Sequence, residues 1–123
     1  MVHLPRFLSS AVVVLLTLPL LACDPEASMK GTVDRPSGVP VAGAKVSITC
    51  SSFDGGGMAA TTDAQGGFSA SKIGCIDNAC DIEVAVSGEP VRHFPVGDYC
   101  TNGGPRCCRS IQADLAIPEM GSP

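Results

Sequence analysis

Ala44-Lys45-Val46-Ser47-Ile48-Thr49-Cys50 alternates along its whole length. Ala44, Val46, Ile48 and Cys50 fall on one face, and Lys45, Ser47 and Thr49 on the other. A period of two with one apolar face predicts a strand half-buried against a core. The same period recurs in Asp81–Ser87, where Ile82, Val84 and Val86 oppose Asp81, Glu83, Ala85 and Ser87. It recurs again in Arg109–Ile117, where Ile111, Ala113, Leu115 and Ile117 oppose Ser110, Gln112, Asp114 and Ala116. Shorter runs at Met29–Asp34, Met58–Thr62, Phe68–Ile73 and Val91–Val96 bring the expected strands to seven. Pro95 cannot donate to a ladder, which places the run that holds it at an edge or a bulge. Turn signals separate the runs: Pro36-Ser37-Gly38, Ala42-Gly43, Asp63-Ala64-Gln65-Gly66-Gly67 and Gly88-Glu89-Pro90. No helical period and no βαβ alternation follows Cys23. The expectation is an all-β fold, a seven-stranded antiparallel β-sandwich over residues 29–118.

The amino-terminal segment is different in kind. His3 and Arg6 make a basic start, and Phe7 to Cys23 carries no charge over 17 residues, interrupted by Pro19. That run is short for a permanent membrane helix, and the proline disfavours a continuous one. A basic start, an apolar middle and a small residue at the end make a secretory signal, residues 1–22. Its removal takes Arg6 and no acid, so the formal charge moves from -4 to -5. An acidic chain lacks the basic footprint of a nucleic-acid binder.

Leu20-Leu21-Ala22-Cys23 resembles the lipobox of bacterial lipoproteins: a branched apolar residue, a spacer, a small residue, then cysteine. The resemblance implies cleavage after Ala22, diacylglycerol on the Cys23 thiol and acylation of the new amine. Several acyl chains, at about 0.8 kcal/mol per buried methylene, hold a protein far more firmly than one. Asp24 to Ser28 then reads as a short linker, so that residues 23–28 tether the domain to a membrane. Residues 119–123 read as a tail.

Lys30-Gly31-Thr32-Val33-Asp34, Gly38-Val39-Pro40-Val41-Ala42-Gly43-Ala44-Lys45-Val46 and Thr61-Thr62-Asp63-Ala64-Gln65-Gly66-Gly67-Phe68 resemble the carboxypeptidase regulatory-like domain. The resemblance covers residues 29–70 and implies a transthyretin-like sandwich and a non-catalytic module, without carboxypeptidase activity. Each motif residue also has a local reason. Gly43 permits a turn before its strand, Asp63 caps its own turn, and Gly66 or Gly67 supplies a positive φ before Phe68 plugs the core.

Six cysteines remain beside Cys23: Cys50, Cys75, Cys80, Cys100, Cys107 and Cys108. An even number in a small exported domain reads as a disulfide framework. With few aromatics to fill a core, three bridges at about 2–4 kcal/mol each offer compensation. The expected pairing is Cys75–Cys80 within one loop, then Cys50 and Cys100 with Cys107 and Cys108 in either order. A bond between the vicinal pair would close a strained ring. If the seven strands alternate in direction, all six cysteines lie at one pole, with the start of the first strand. The tether and the cysteines then share the membrane-facing end, and the loops at 35–43, 63–67 and 88–90 face outward.

The same residues offer few reactive constellations. Cys75-x₄-Cys80 approaches a zinc spacing but has no second matching pair, so a zinc or thiol protein is the alternative reading. His93 is the one histidine after the signal, and no Gly-x-Ser-x-Gly surrounds a serine. Gly55-Gly56-Gly57 lacks the Lys-Ser/Thr ending of a phosphate loop. Asp77, Asp81 and Glu83 match no calcium-loop spacing. Lys30, Glu83 and Asp114 stand in the order of an isopeptide trio, but alternation turns both acids to solvent, where the reaction lacks its shifted pKa values. No catalytic residue, metal site or cofactor is assigned. The expected function is that of a lipid-anchored, non-enzymatic module of the bacterial envelope, a structural or interaction domain. Its partners are the membrane and an envelope protein, peptide or glycan met by the outward loops.

Overall fold

The computed structural model describes residues 26–51 and 57–119. The signal, Cys23, most of the Gly55–Gly57 run and the last four residues lie outside that range. Eight strands occur in it: β1 (Glu26–Asp34), β2 (Lys45–Thr49), β3 (Ala59–Thr61), β4 (Gly67–Ile73), β5 (Asp81–Ala85), β6 (Arg92–Pro95), β7 (Cys100–Gly104) and β8 (Cys107–Ala116). They form two four-stranded sheets, β4-β1-β8-β7 and β3-β2-β5-β6. One core joins them. It holds Met29, Val33, Val46, Ile48, Met58, Phe68, Ile76, Ile82, Val84, Ile111, Ala113 and Leu115. Its largest fully buried side chains are aliphatic or methionine, with Met29, Met58, Ile76, Ile82 and Ile111 foremost.

The seven expected strands are present, and their faces are as the alternation demands. Ala44, Val46 and Ile48 are buried, as are Ile82 and Val84, and Ile111, Ala113, Leu115 and Ile117. Pro95 ends β6, which is an edge strand.

Three expectations need correction. First, there are eight strands. Cys100-Thr101-Asn102-Gly103-Gly104 pairs antiparallel with β8 as β7, its register shifted on both sides of Asn102. This segment does not alternate, and its partner strand imposes the extended form. Second, the fold is not wholly antiparallel, because β1 runs parallel to β8 from Ser28↔Ser110 to Asp34↔Ala116. Strict alternation over eight strands would oppose β1 and β8; the inserted β7 breaks it, and the two run the same way as neighbours. Third, residues 26–28 are not linker. They belong to β1, with Ala27 buried and Glu26 paired to Ile73.

The central position of β1 explains Gly31. A β-carbon there would overlap the carbonyl oxygen of Ala113 on β8. The parallel pair closes at that point only around a residue with no side chain.

Candidate functional site

Two poles and one sheet face carry the features that bear on function. At the first pole the six cysteines form three bridges. Cys50–Cys80 has a Cα separation of 4.4 Å, Cys75–Cys107 one of 4.9 Å, and Cys100–Cys108 one of 5.9 Å. Register explains Cys50–Cys80, since Thr49 pairs with Asp81 and the two cysteines flank that pair. The expected Cys75–Cys80 bridge does not form. Ile76 lies between them, fully buried, and exchanges backbone hydrogen bonds with Cys108. That anchor sends Cys75 toward β8 in one sheet and Cys80 toward β2 in the other. Cys50 correspondingly joins neither member of the vicinal pair, whereas Cys100 does join Cys108. The zinc or thiol alternative requires free thiolates, and these six sulfurs are spent on bridges. The pole also holds the start of β1, because Glu26 pairs with Ile73 two residues before Cys75.

The opposite pole is tied by side chains. Arg35, 8% exposed, donates from Nη1 and Nη2 to the two carboxylate oxygens of Glu89 at 2.8 and 2.7 Å, and from Nη1 to the Pro118 carbonyl. The Ser37 backbone N–H donates to Glu119 Oε1 at 2.9 Å. The hydrogen bond from Arg35 holds the Glu89 carboxyl below its ordinary value, and hydrogen bonds from Ser37 do the same for Glu119. Nearby, the buried Thr62 hydroxyl donates to the Val41 carbonyl and accepts from the Ala44 N–H. Asp63 Oδ1 accepts from the N–H groups of Gln65 and Gly67, both at 2.9 Å. Gly43 and Gly66 take φ values of 75° and 77°, as their turns require. These contacts fasten the loops at 35–43, 63–67 and 88–90 to one another and to the end of β8. Arg35, Ser37, Thr62 and Glu119 carried no signal of this in the sequence, because their partners are 18 to 83 residues away.

The sheet face is the outer surface of β4-β1-β8. Register sets Ser69, Lys30 and Gln112 in one row across the three strands, and Gly67, Thr32 and Asp114 in the next. An open groove of about 690 Å³ lies over these rows. Gly67 contributes no side chain to it, Ala60 and Thr61 of β3 form one wall, and Asp63 stands over Gly67. The Thr32 hydroxyl donates to Asp114 Oδ1 at 3.2 Å.

The remaining sequence candidates are dispersed. Lys30 and Asp114 share this face, but Glu83 lies in the other sheet opposite Ser47 and His93, so the isopeptide trio is not assembled. Asp77 accepts from the Ala79 N–H at 2.8 Å, as a turn cap. His93 is exposed on edge strand β6. Among the described residues, no group of three or more His, Cys, Asp or Glu side chains is placed to hold a metal ion.

No family model and no curated protein matches the chain. Among solved structures it is similar to the crystal structure of chlorocatechol 1,2-dioxygenase from Pseudomonas putida, at 17% identity and a TM-score of 0.51. The match covers 78% of this chain and 60% of that one. At this identity the likeness concerns the fold alone. The three bridges place the domain in a non-cytoplasmic, oxidising compartment.

Proposed function

We propose that this chain is a bacterial lipoprotein whose Cys23 carries the membrane anchor. Its sandwich is a non-enzymatic interaction module of the cell envelope, of the carboxypeptidase regulatory-like, transthyretin-like kind. The observation that carries the reading is the position of Leu20-Leu21-Ala22-Cys23 at the end of the only long uncharged run, two residues before β1. Asp24 and Pro25 alone then separate the anchor from the sheet, a reach of about 7 Å at full extension. The cysteine pole sits against the bilayer, and the pole tied by Arg35 points away from it.

The domain assignment draws support from the turn residues. Gly43 and Gly66 have the positive φ that the motif needs, Asp63 caps its turn, and Phe68 is buried behind it. The oxidising compartment implied by the bridges agrees with export. A tether this short suits a module that works close to the membrane surface.

The test is metabolic labelling with an acyl probe in a bacterial host. The wild-type protein incorporates the probe and fractionates with membranes, and Cys23→Ser does neither. Equal incorporation by Cys23→Ser would remove the anchor from this position.

A further inference from the structure

The groove on the outer face of β4-β1-β8 has a composition that selects its ligand. We propose that it binds a neutral, hydroxyl-rich ligand, a short glycan segment, held by Lys30, Thr32, Asp63, Ser69, Gln112 and Asp114. The inference deepens the interaction-module reading above and rests on it, but it needs no lipid anchor.

Four observations lead there. The volume, about 690 Å³, is within the usual range for small-molecule sites, about 300–1,000 Å³. The lining mixes an ammonium, three hydroxyls, an amide and two carboxylates, so it both donates and accepts hydrogen bonds, as a sugar's hydroxyls do. The side chains of Lys30, Ser69 and Gln112 make no hydrogen bond or ion pair within the described structure. Their polar groups are available to a ligand, and register alone has set them in one row across three strands. Finally, Gly67 lets the Asp63 carboxylate reach in over the second row.

The same facts turn away the other ligand classes. Two carboxylates to one ammonium disfavour a phosphate or another anion. A peptide recognised by strand addition would lie along edge strand β4, off the rows of Lys30, Thr32, Gln112 and Asp114, because β1 at the groove floor is paired on both sides, by β4 and β8. Apolar side chains find no anchor pocket, because Phe68 is turned into the core at 7% exposure. What remains is a ligand recognised by hydrogen bonds to side chains on a sheet face. This moves the expected glycan contact from the outward loops to the sheet, with the 63–67 turn contributing Asp63.

The experiment is titration of the isolated, disulfide-intact protein with cellobiose and with di-N-acetylchitobiose, followed by amide NMR. Inorganic phosphate and trialanine serve as contrasting probes. At least one sugar is expected to give saturable shifts centred on residues 30–32, 67–69 and 112–114. Gln112→Ala and Asp114→Asn should each weaken that binding about tenfold, the effect of losing a hydrogen bond to a ligand. Both positions are exposed, so the fold is retained, and Lys45→Ala on the other sheet should change nothing. The proposal is overturned if neither sugar gives saturable shifts, or if the shifts centre elsewhere. Unchanged affinity in both groove variants overturns it, as does tighter binding of phosphate or trialanine in the groove. These outcomes are independent of acyl labelling at Cys23, so failure of the groove and failure of the anchor are told apart.

Discussion

Arg35 is a charged side chain buried to 8% exposure, and its environment accounts for its charge. The carboxylate of Glu89 meets it with two parallel hydrogen bonds, a geometry that matches the guanidinium fork. The pair has a consequence for pH. Glu89 titrates below its ordinary value of 4.5 because Arg35 donates to its charged form. Its contribution to stability is complete above that ordinary value and is lost as pH falls through the lower, folded value. Acid unfolding followed by circular dichroism should therefore show a falling limb below pH 4.5. Glu89→Gln should flatten it, and Glu119→Gln should do so in part, since Ser37 holds that carboxyl low as well. An acid limb unchanged in both variants would refute this assignment. None of this was legible beforehand, because Arg35 and Glu89 sit in separate turns whose meeting depends on the tertiary fold.

At the scale of elements, alternation was enough for seven strands and for the buried face of the best three. It failed for β7, where Cys100-Thr101-Asn102-Gly103-Gly104 falls between the last two expected strands and becomes a strand only through β8 and the bridge to Cys108. It also failed for the pairing Cys75–Cys80. Proximity along the chain counted for less than burial of Ile76, which separates the two cysteines. The groove was illegible for a related reason: Ser69, Lys30 and Gln112 become neighbours only once register is fixed. The bridges have different expected weights. Cys75–Cys107 closes a separation of 32 residues, against 8 for Cys100–Cys108. Loop-closure entropy then assigns the first about 3.7 kcal/mol and the second about 2.5 kcal/mol. Neither Cys75 nor Cys107 is fully buried, so their removal leaves little packing loss to confuse the measurement. Denaturant unfolding of Cys75→Ala/Cys107→Ala should show a loss near the larger figure. A loss below about 1 kcal/mol would show that the bridge does not limit the unfolded chain in this way.

At the scale of the molecule, the parallel pairing of β1 and β8 gives the domain a direction. Glu26 lies at the cysteine pole, and Pro118 and Glu119 at the pole tied by Arg35. On the proposal of an anchor at Cys23, the bridged end would stand at the bilayer and the chain would leave the last strand on the far side. The groove, with Asp63 at its edge, lies toward the pole tied by Arg35. The three bridges and the small aliphatic core fit a domain stabilised by disulfides outside the cytoplasm. The measurement that bears most directly on this account is the intact mass of the protein isolated from bacterial membranes without reducing agent. The account predicts a chain that begins at Cys23, carries acyl groups on that residue and lacks six thiol hydrogens. A mass that retains residues 1–22, an unmodified Cys23 or six free thiols would contradict it.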